Sequence, residues 1–253
     1  MISKARLKYL RSLRQKKIRS EEGVLLVEGL NVVEEAVAAG KVRELLLSDE
    51  VAQGPRGRAL VARGLPVRRL GESDLRALAE TRTPSGAFAV VQDPCGPFDP
   101  AELPDEALVL LAAGVADPGN LGTLIRTAAA LGVAAVVTAA ETVEATNPKV
   151  VRATAGALFR VPVRHGEAAA LKRAGFELYA ADAGGRPFPE LTDRPARLAL
   201  AVGNEPRGLP AEVVAAADAT IAVPQVGAVE SLNVAVATGI LLHALRALPV
   251  RRA

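Results

Sequence analysis

Residues 107–116, ALVLLAAGVA, and 131–140, LGVAAVVTAA, are the longest apolar runs in the chain. Both are too short to cross a bilayer. They also lack the polar-apolar alternation of a half-solvated strand. Solid runs of this kind are what strands buried on both faces look like, and such strands belong to parallel sheets covered by helices. Half of the 253 residues are hydrophobic but only 3% are aromatic, so Ala, Val and Leu must build the core. The length allows one large domain or two ordinary ones.

Short apolar runs alternate with helical patterns along the whole chain, which predicts an α/β fold. In the first part, a helix is expected over 3–17, strands at 23–27, 42–47, 66–70 and 87–91, and helices at 30–39, 56–62 and from Ser73 to Glu80. This reads as a small, parallel-rich α/β unit. Residues 92–106, QDPCGPFDPAELPDE, hold Pro94, Pro97, Pro100 and Pro104 among acids, the pattern of a semi-rigid linker. The expected domains are therefore 1–92, a linker at 93–106, and 107–253. In the second domain, strands are expected at 107–112, 134–138, 159–163, 176–181, 198–202 and 220–223. Helices are expected at 121–131, 148–158, 167–174 and 210–217, and a closing helix follows the last strand.

Net charge is +3, yet its distribution is uneven. Before Glu21 stand Lys4, Arg6, Lys8, Arg11, Arg14, Lys16, Lys17 and Arg19, with no acidic residue. Such a cluster is an electrostatic footprint for phosphates. It equally describes the solvated face of an amphipathic helix with Leu7, Leu10 and Leu13 inward. The first twenty residues lack an apolar core segment and do not read as a signal peptide. With Cys95 as the single cysteine, no internal disulfide can form, and a reducing cytoplasm is expected.

Three polar stations sit at strand ends, where open α/β sheets bind ligands. The first is Asp117–Arg126, with Asn120 at a helix start and Arg126 further along, on the face that holds Gly119 and Gly122. The second is Gly203-Asn204-Glu205-Pro206-Arg207-Gly208, directly after an apolar strand; a glycine there lets backbone approach a ligand. The third is the junction of Ser231, Leu232 and Asn233 ahead of the closing helix. Ser231 has the chemistry of an N-cap. Asn233, placed in the first helical turn, is a weak helix former. Competing signatures are missing: there is no G-x-x-x-x-G-K-[ST], no G-x-G-x-x-G after a strand, and no G-x-S-x-G around Ser231. Cys95, His165 and His243 are too isolated to form a metal site.

Together the stations resemble the three motifs of the SpoU (TrmH) family of RNA 2′-O-ribose methyltransferases. Asn120-Leu-Gly122-x-x-x-Arg126 is similar to the first and Gly203-Asn204-Glu205-x-x-Gly208-Leu209 to the second. Val223-Pro224 through Glu230-Ser231-Leu232-Asn233-Val234-Ala235 is similar to the third. Asn147-Pro148-Lys149 with Arg152 resembles the family's mid-domain stretch. Leu26-Val27-Glu28-Gly29 and Thr83-Pro84-Ser85-Gly86 resemble a substrate-binding domain that many rRNA-directed members carry. Val223 stands where Ile is commoner and Gln225 where Met is commoner. The resemblance implies a catalytic domain with a deep trefoil knot and S-adenosylmethionine bound near Gly203, Asn204, Val223, Pro224 and Leu232. It also implies a homodimer through the catalytic domains. Arg126 is the implied catalytic residue, with Asn120, Glu205, Ser231 and Asn233 positioning it, the cofactor and the ribose. A free guanidinium is no base, so Arg126 is expected to stabilise a developing alkoxide. The implied activity is methylation of large-subunit rRNA; the alternatives are tRNA methylation and a non-catalytic RNA-binding assembly factor.

Overall fold

The computed structural model describes residues 2–80, 83–204, 206–227 and 231–251. In chain order its elements begin with α1 (Lys4–Ser12), α2 (Lys16–Glu22), β1 (Val24–Glu28), α3 (Leu30–Ala38) and β2 (Val42–Ser48). There follow α4 (Asp49–Gln53), α5 (Pro55–Val61), β3 (Val67–Leu70), α6 (Glu72–Leu78), β4 (Ala87–Gln92) and β5 (Gly96–Pro97). Next are β6 (Ala107–Ala112), α7 (Pro118–Ala130), β7 (Ala135–Thr138), α8 (Pro148–Ala153), β8 (Val163–His165) and α9 (Ala168–Arg173). The chain closes with β9 (Glu177–Pro187), β10 (Arg197–Val202), α10 (Ala211–Ala216), β11 (Ala219–Ala222) and α11 (Val234–Ala247). No helix among the described residues is long and apolar enough to cross a membrane.

Contacts divide the chain into two compact units. One is Met1–Pro94 with Thr146–Arg160; the other is Cys95–Ala145 with Val161–Ala253. The expected division differs from this in two places: the stretch read as a linker joins the second unit from Cys95, and 146–160 packs with the first.

In the first unit the sheet order is β1-β4-β2-β3. Here β4 runs antiparallel to both β1 and β2, and the parallel pair is β2 with β3. The parallel-rich expectation was therefore wrong. Apolar periodicity reports burial and not direction, and β4 enters between two strands that already run the same way. Leu10, Leu13, Leu46 and Phe88 meet in its core.

The helix expected over 3–17 is two helices. The break exposes the carbonyls of Leu13 and Arg14, and both accept hydrogen bonds from the buried Arg19 guanidinium, at 3.2 and 2.7 Å. Ser73 does not cap its helix: Gly71 does, and its N–H donates to the Asp74 carboxylate at 3.3 Å. Expected helix 56–62 is preceded by a further short one, α4, capped by Ser48. The 146–160 segment holds α8, a turn through Ala155 (φ +50°) and Gly156, and a short 3-10 helix at Ala157–Phe159, so the helix expected at 148–158 is shortened and the strand expected at 159–163 instead runs Val163–His165. Two ion pairs fasten this segment to the first unit: Arg152 with Glu80, and Arg160 with Glu35 through two bonds of 2.7 and 2.6 Å.

The second unit is one seven-stranded sheet in the order β11-β9-β10-β6-β7-β8-β5, and every pairing is parallel. The solid apolar runs behave as expected: β6 is buried along its whole length. Its neighbours β10 and β7 supply Ala199, Ala201 and Val137 to the same core. The Pro-rich stretch contributes the edge strand β5, and the Phe98 N–H reaches the His165 carbonyl at 2.8 Å. An edge tolerates Pro97 because a ring nitrogen facing outward leaves no ladder donor missing.

Asp218 joins three elements of this unit. Its carboxylate accepts from the Leu178 N–H at 2.7 Å and from Lys172 Nζ at 2.6 Å. Burial pushes its pKa up, but Lys172 and the Leu178 N–H outweigh that and hold it below its ordinary value of 3.8. A depressed folded pKa stabilises above the ordinary value and loses that contribution as pH falls through the folded one. Asp218→Asn is therefore expected to lower the melting temperature at neutral pH, and the gap to wild type should close as the pH is taken below 3.8. The pair is partly exposed, so the neutral-pH effect on the ion pair is about 0.5 kcal/mol. A gap that persists unchanged in acid would reject the assignment.

Candidate active site

The parallel sheet places the carboxyl ends of β6, β9, β10 and β11 along one edge, and the candidate site is assembled there. After β10 the chain turns back on itself at once. The Asn204 N–H donates to the Gly208 carbonyl at 2.9 Å, and the Gly208 N–H returns to the Asn204 carbonyl at 2.8 Å. Gly203 sits under this turn so closely that a Cβ on it would lie 2.4 Å from the Gly208 oxygen. No side chain fits there. The Asn204 amide reaches across to the Gly114 carbonyl, 3.1 Å away, after β6. The Gly114 N–H is in turn held by Thr142 Oγ1 at 3.0 Å. The turns beyond two paired strand ends are thereby fixed by side-chain bonds that continue where the sheet ladder stops, at Val202 and Ala112.

Strand β9 carries a feature absent from the sequence reading, which ended it at 181. It pairs with β11 through Tyr179 and Ala180, bulges, and resumes pairing at Arg186 and Pro187. The bulge brings Ala181, Asp182 and Ala183 to the edge. Gly185 permits it: a Cβ there would lie 2.7 Å from the Ile221 backbone nitrogen. Two glycines in a row after an apolar run, Gly184-Gly185, are the signal that could have disclosed the bulge.

These segments and α11 enclose a cavity of about 180 Å³. Val202, Ile221, Ala222 and Leu241 form apolar walls, and Asp182, Asn204, Gln225 and Ser231 supply polar groups. Of the residues expected to bind a cofactor, Gly203, Asn204, Val223 and Leu232 line it. Pro224 is exposed beside Val223 and outside the lining. Ser231 lines the cavity but does not cap α11.

That cap is Asn233, whose Oδ1 accepts from the Ala235 and Val236 N–H groups at 3.0 and 3.3 Å. Asn233 thus lies just before the helix and not in its first turn, which removes the conflict with its weak helix propensity. Its amide then donates to Asn120 Oδ1 at 3.0 Å. Asn120 is itself inside the first turn of α7, whose cap is Asp117: the Asn120 N–H donates to the Asp117 carboxylate at 2.8 Å. A single bond therefore links the starts of the two helices, and α7 packs along α11. Arg126 stands exposed on α7, outside the cavity lining, with no hydrogen bond or ion pair among the described residues. Glu205 and Glu230 lie outside the described residues.

The basic residues before Glu21 separate into two groups. Lys4, Lys8 and Arg11 form an exposed stripe on α1, and Lys16 and Lys17 are exposed at the start of α2. Arg14 is bound inward, to the carbonyls of Leu78 and Ala79 at 2.7 and 3.0 Å, and Arg6 is paired with Glu44.

Two family models match this chain. The SpoU rRNA Methylase family covers residues 107–243, and the MRM3-like substrate binding domain covers residues 4–89. This chain belongs to the SpoU rRNA methylase family. The 23S rRNA (guanosine(2553)-2′-O)-methyltransferase RlmP of Bacillus subtilis is 37% identical to it over 252 residues, 95% of this chain and 96% of that protein. Among solved structures, an S-adenosylmethionine-bound rRNA methyltransferase from Sinorhizobium meliloti superposes with a TM-score of 0.82 at 31% identity. It covers 97% of this chain and 95% of that one. The SpoU methyltransferase AviRb from Streptomyces viridochromogenes, also in complex with S-adenosylmethionine, gives 0.82 at 27% identity over 96% and 97%.

Asn233 has two separable roles in this family member, capping α11 and donating to Asn120. Asn233→Ala loses both and should destabilise by about 1 kcal/mol, a typical cost of a lost cap. For a unit of this size that is roughly 3 °C in melting temperature. Asn233→Asp keeps an acceptor for the helix N–H groups but has no donor for Asn120, so it should melt within about 1 °C of wild type. Equal losses in both variants would show that the cap is not the stabilising contact.

Proposed function

We propose that this protein transfers a methyl group from S-adenosylmethionine to a ribose 2′-hydroxyl of large-subunit rRNA. The observation that carries the reading is the cavity at the carboxyl ends of β9, β10 and β11, closed by α11, with the Asn120–Asn233 bond joining the two helix starts. Its contents fit the cofactor. The apolar walls suit an adenine ring, and Asp182, Asn204 and Ser231 offer partners to a ribose diol or to an amino-acid end. The absence of a Cβ at Gly203 leaves backbone as the lining there. When bound, S-adenosylmethionine supplies an electrophilic methyl group.

The chain's own residues do the rest. Arg126, exposed and without a hydrogen bond or ion pair among the described residues, contacts the RNA phosphate and the 2′-oxygen and stabilises the alkoxide that develops there. Asn120 and Asn233 fix the helix start from which Arg126 is carried. Glu205 and Ser231 position the ribose and the methionine end. A poor nucleophile such as a ribose hydroxyl gains much of its rate from this alignment. The exposed stripe of Lys4, Lys8 and Arg11 holds flanking RNA backbone, which makes affinity fall with salt. The C-terminal segment forms a trefoil knot around the cofactor, and the protein works in the cytoplasm as a homodimer. Val236 and Ile240, one turn apart and exposed on α11, offer the apolar face that a second copy would cover.

Incubation with labelled S-adenosylmethionine and unmodified rRNA, with tRNA in parallel, tests the reading. Label should enter large-subunit rRNA at one ribose, mapped by resistance to alkaline cleavage. Label in tRNA alone would overturn the substrate, and no label together with no cofactor binding would overturn the reaction. Arg126→Ala is expected to lower turnover by about 10²–10³-fold, the usual effect of removing an electrostatic stabiliser of developing charge. Its cofactor affinity should hold. Near-normal turnover in that variant would remove Arg126 from the chemistry.

A further inference from the structure

The first unit holds a second basic feature, on another side of α1 from the Lys4–Lys8–Arg11 stripe. Arg6 and Tyr9 lie roughly 140–200° around the helix from Lys4. They face an open groove of about 420 Å³ at the start of β2 and β3, lined also by Arg43, Glu44, Pro66 and Arg68. Glu44 is buried and takes both Arg6 and Arg68 on its two oxygens. One carboxylate cannot neutralise two guanidiniums, so the triad retains a positive charge. Arg43 adds another: it is exposed and has no hydrogen bond or ion pair among the described residues.

The two paired arginines are held rather than free. Arg6 lies over the Tyr9 ring, 4.8 Å from its centre. Arg68 uses Nε for Glu44, and its two outer nitrogens have no hydrogen-bond partner among the described residues. Tyr9 is held in turn by its hydroxyl, which donates to Glu22 at 3.3 Å, and burial and that carboxylate keep the phenol above its ordinary pKa against the pull of Arg6 and Arg43. A guanidinium fixed by one edge with its other edge open is preorganised for the planar geometry of a phosphate, and little further side-chain freedom is lost on binding.

We propose that this groove is an RNA phosphate clamp in which Arg43 and Arg68 contact consecutive backbone phosphates of the substrate. Glu44 serves as the positioning residue that fixes Arg68. The inference rests on the rRNA reading above and adds a contact that neither the basic stripe of α1 nor the catalytic unit provides. RNA that reaches both the stripe and the groove must pass around α1, which would orient it on the first unit.

The test is the salt dependence of binding to an in vitro transcript of large-subunit rRNA, followed by filter binding from about 50 to 300 mM KCl. Neutralising two phosphate contacts should reduce the slope of log K against log salt by about 1.4 to 1.8. Arg43→Gln with Arg68→Gln should show that reduction and bind several-fold more weakly at low salt. Arg43→Gln alone breaks no ion pair and should reduce the slope by about 0.7 to 0.9, which keeps the test valid if the double variant unfolds. Arg63→Gln, an exposed arginine of the same unit away from the groove, controls for net charge and should leave the slope unchanged. Unchanged slopes in folded groove variants, or an equal change in Arg63→Gln, would overturn the clamp while leaving the rRNA reading intact. Absence of salt-dependent RNA binding by the wild type would overturn that reading, and the clamp with it.

Discussion

The parallel direction of every pairing in the seven-stranded sheet is the constraint from which the candidate site follows. Parallel strands must finish at the same edge. The loops after β6, β9, β10 and β11 are thus brought together although they are far apart in sequence. Side chains then fix what the ladder cannot. Asn204 ties the loop after β10 to the turn after β6 through the Gly114 carbonyl, and Thr142 holds the other side of that turn. Gly203 lets the hairpin fold flat onto the strand end. Remove the shared direction, and none of these bonds has a partner within reach.

Much of this was legible in the residues, for reasons that differ by feature. Burial on both faces wrote β6, β7 and β10 as solid Ala, Val and Leu, so their existence and order could be read. Motif spacing placed Asn204, Gly203, Val223, Leu232 and Ser231 at strand ends, and all five line one cavity. The illegible parts depend on partners distant in sequence. The direction of β4 follows from insertion between β1 and β2. The helix break at Leu13–Gln15 requires the buried Arg19, whose charge looked like part of a solvated cluster. The loyalty of 146–160 to the first unit rests on Arg152 with Glu80 and Arg160 with Glu35, pairs separated by 72 and 125 residues. No local pattern reports such separations.

Capping shows the same limit on a smaller scale. Ser231, Asn233, Asp117 and Asn120 all have cap chemistry, and composition cannot rank them. The structure gives the caps to Asp117 and Asn233 and so releases Ser231 into the cavity and the Asn120 side chain to Asn233. A residue that reads as a cap in isolation becomes available to a ligand once a neighbour takes that role.

Charge must be sorted in the same way before it can be read as function. The eight basic residues before Glu21 appear as one cluster in the sequence. In the fold, Arg19 and Arg14 close backbone carbonyls, Arg6 meets a buried carboxylate, and Lys17 faces Glu21 at 3.8 Å. Lys4, Lys8 and Arg11 have no ion-pair partner among the described residues. Arg43, outside the cluster and unremarkable in the sequence, joins them. A guanidinium whose donors are already satisfied adds long-range potential but cannot grip a phosphate, whereas one with an open edge can do both. What distinguishes the basic residues of this protein is therefore the carboxylates and carbonyls around them. Glu44 is a buried acid that engages two arginines, Arg6 and Arg68, and completes neither. A full partner would silence a guanidinium, and a missing one would leave it loose; a shared one leaves it both held and charged.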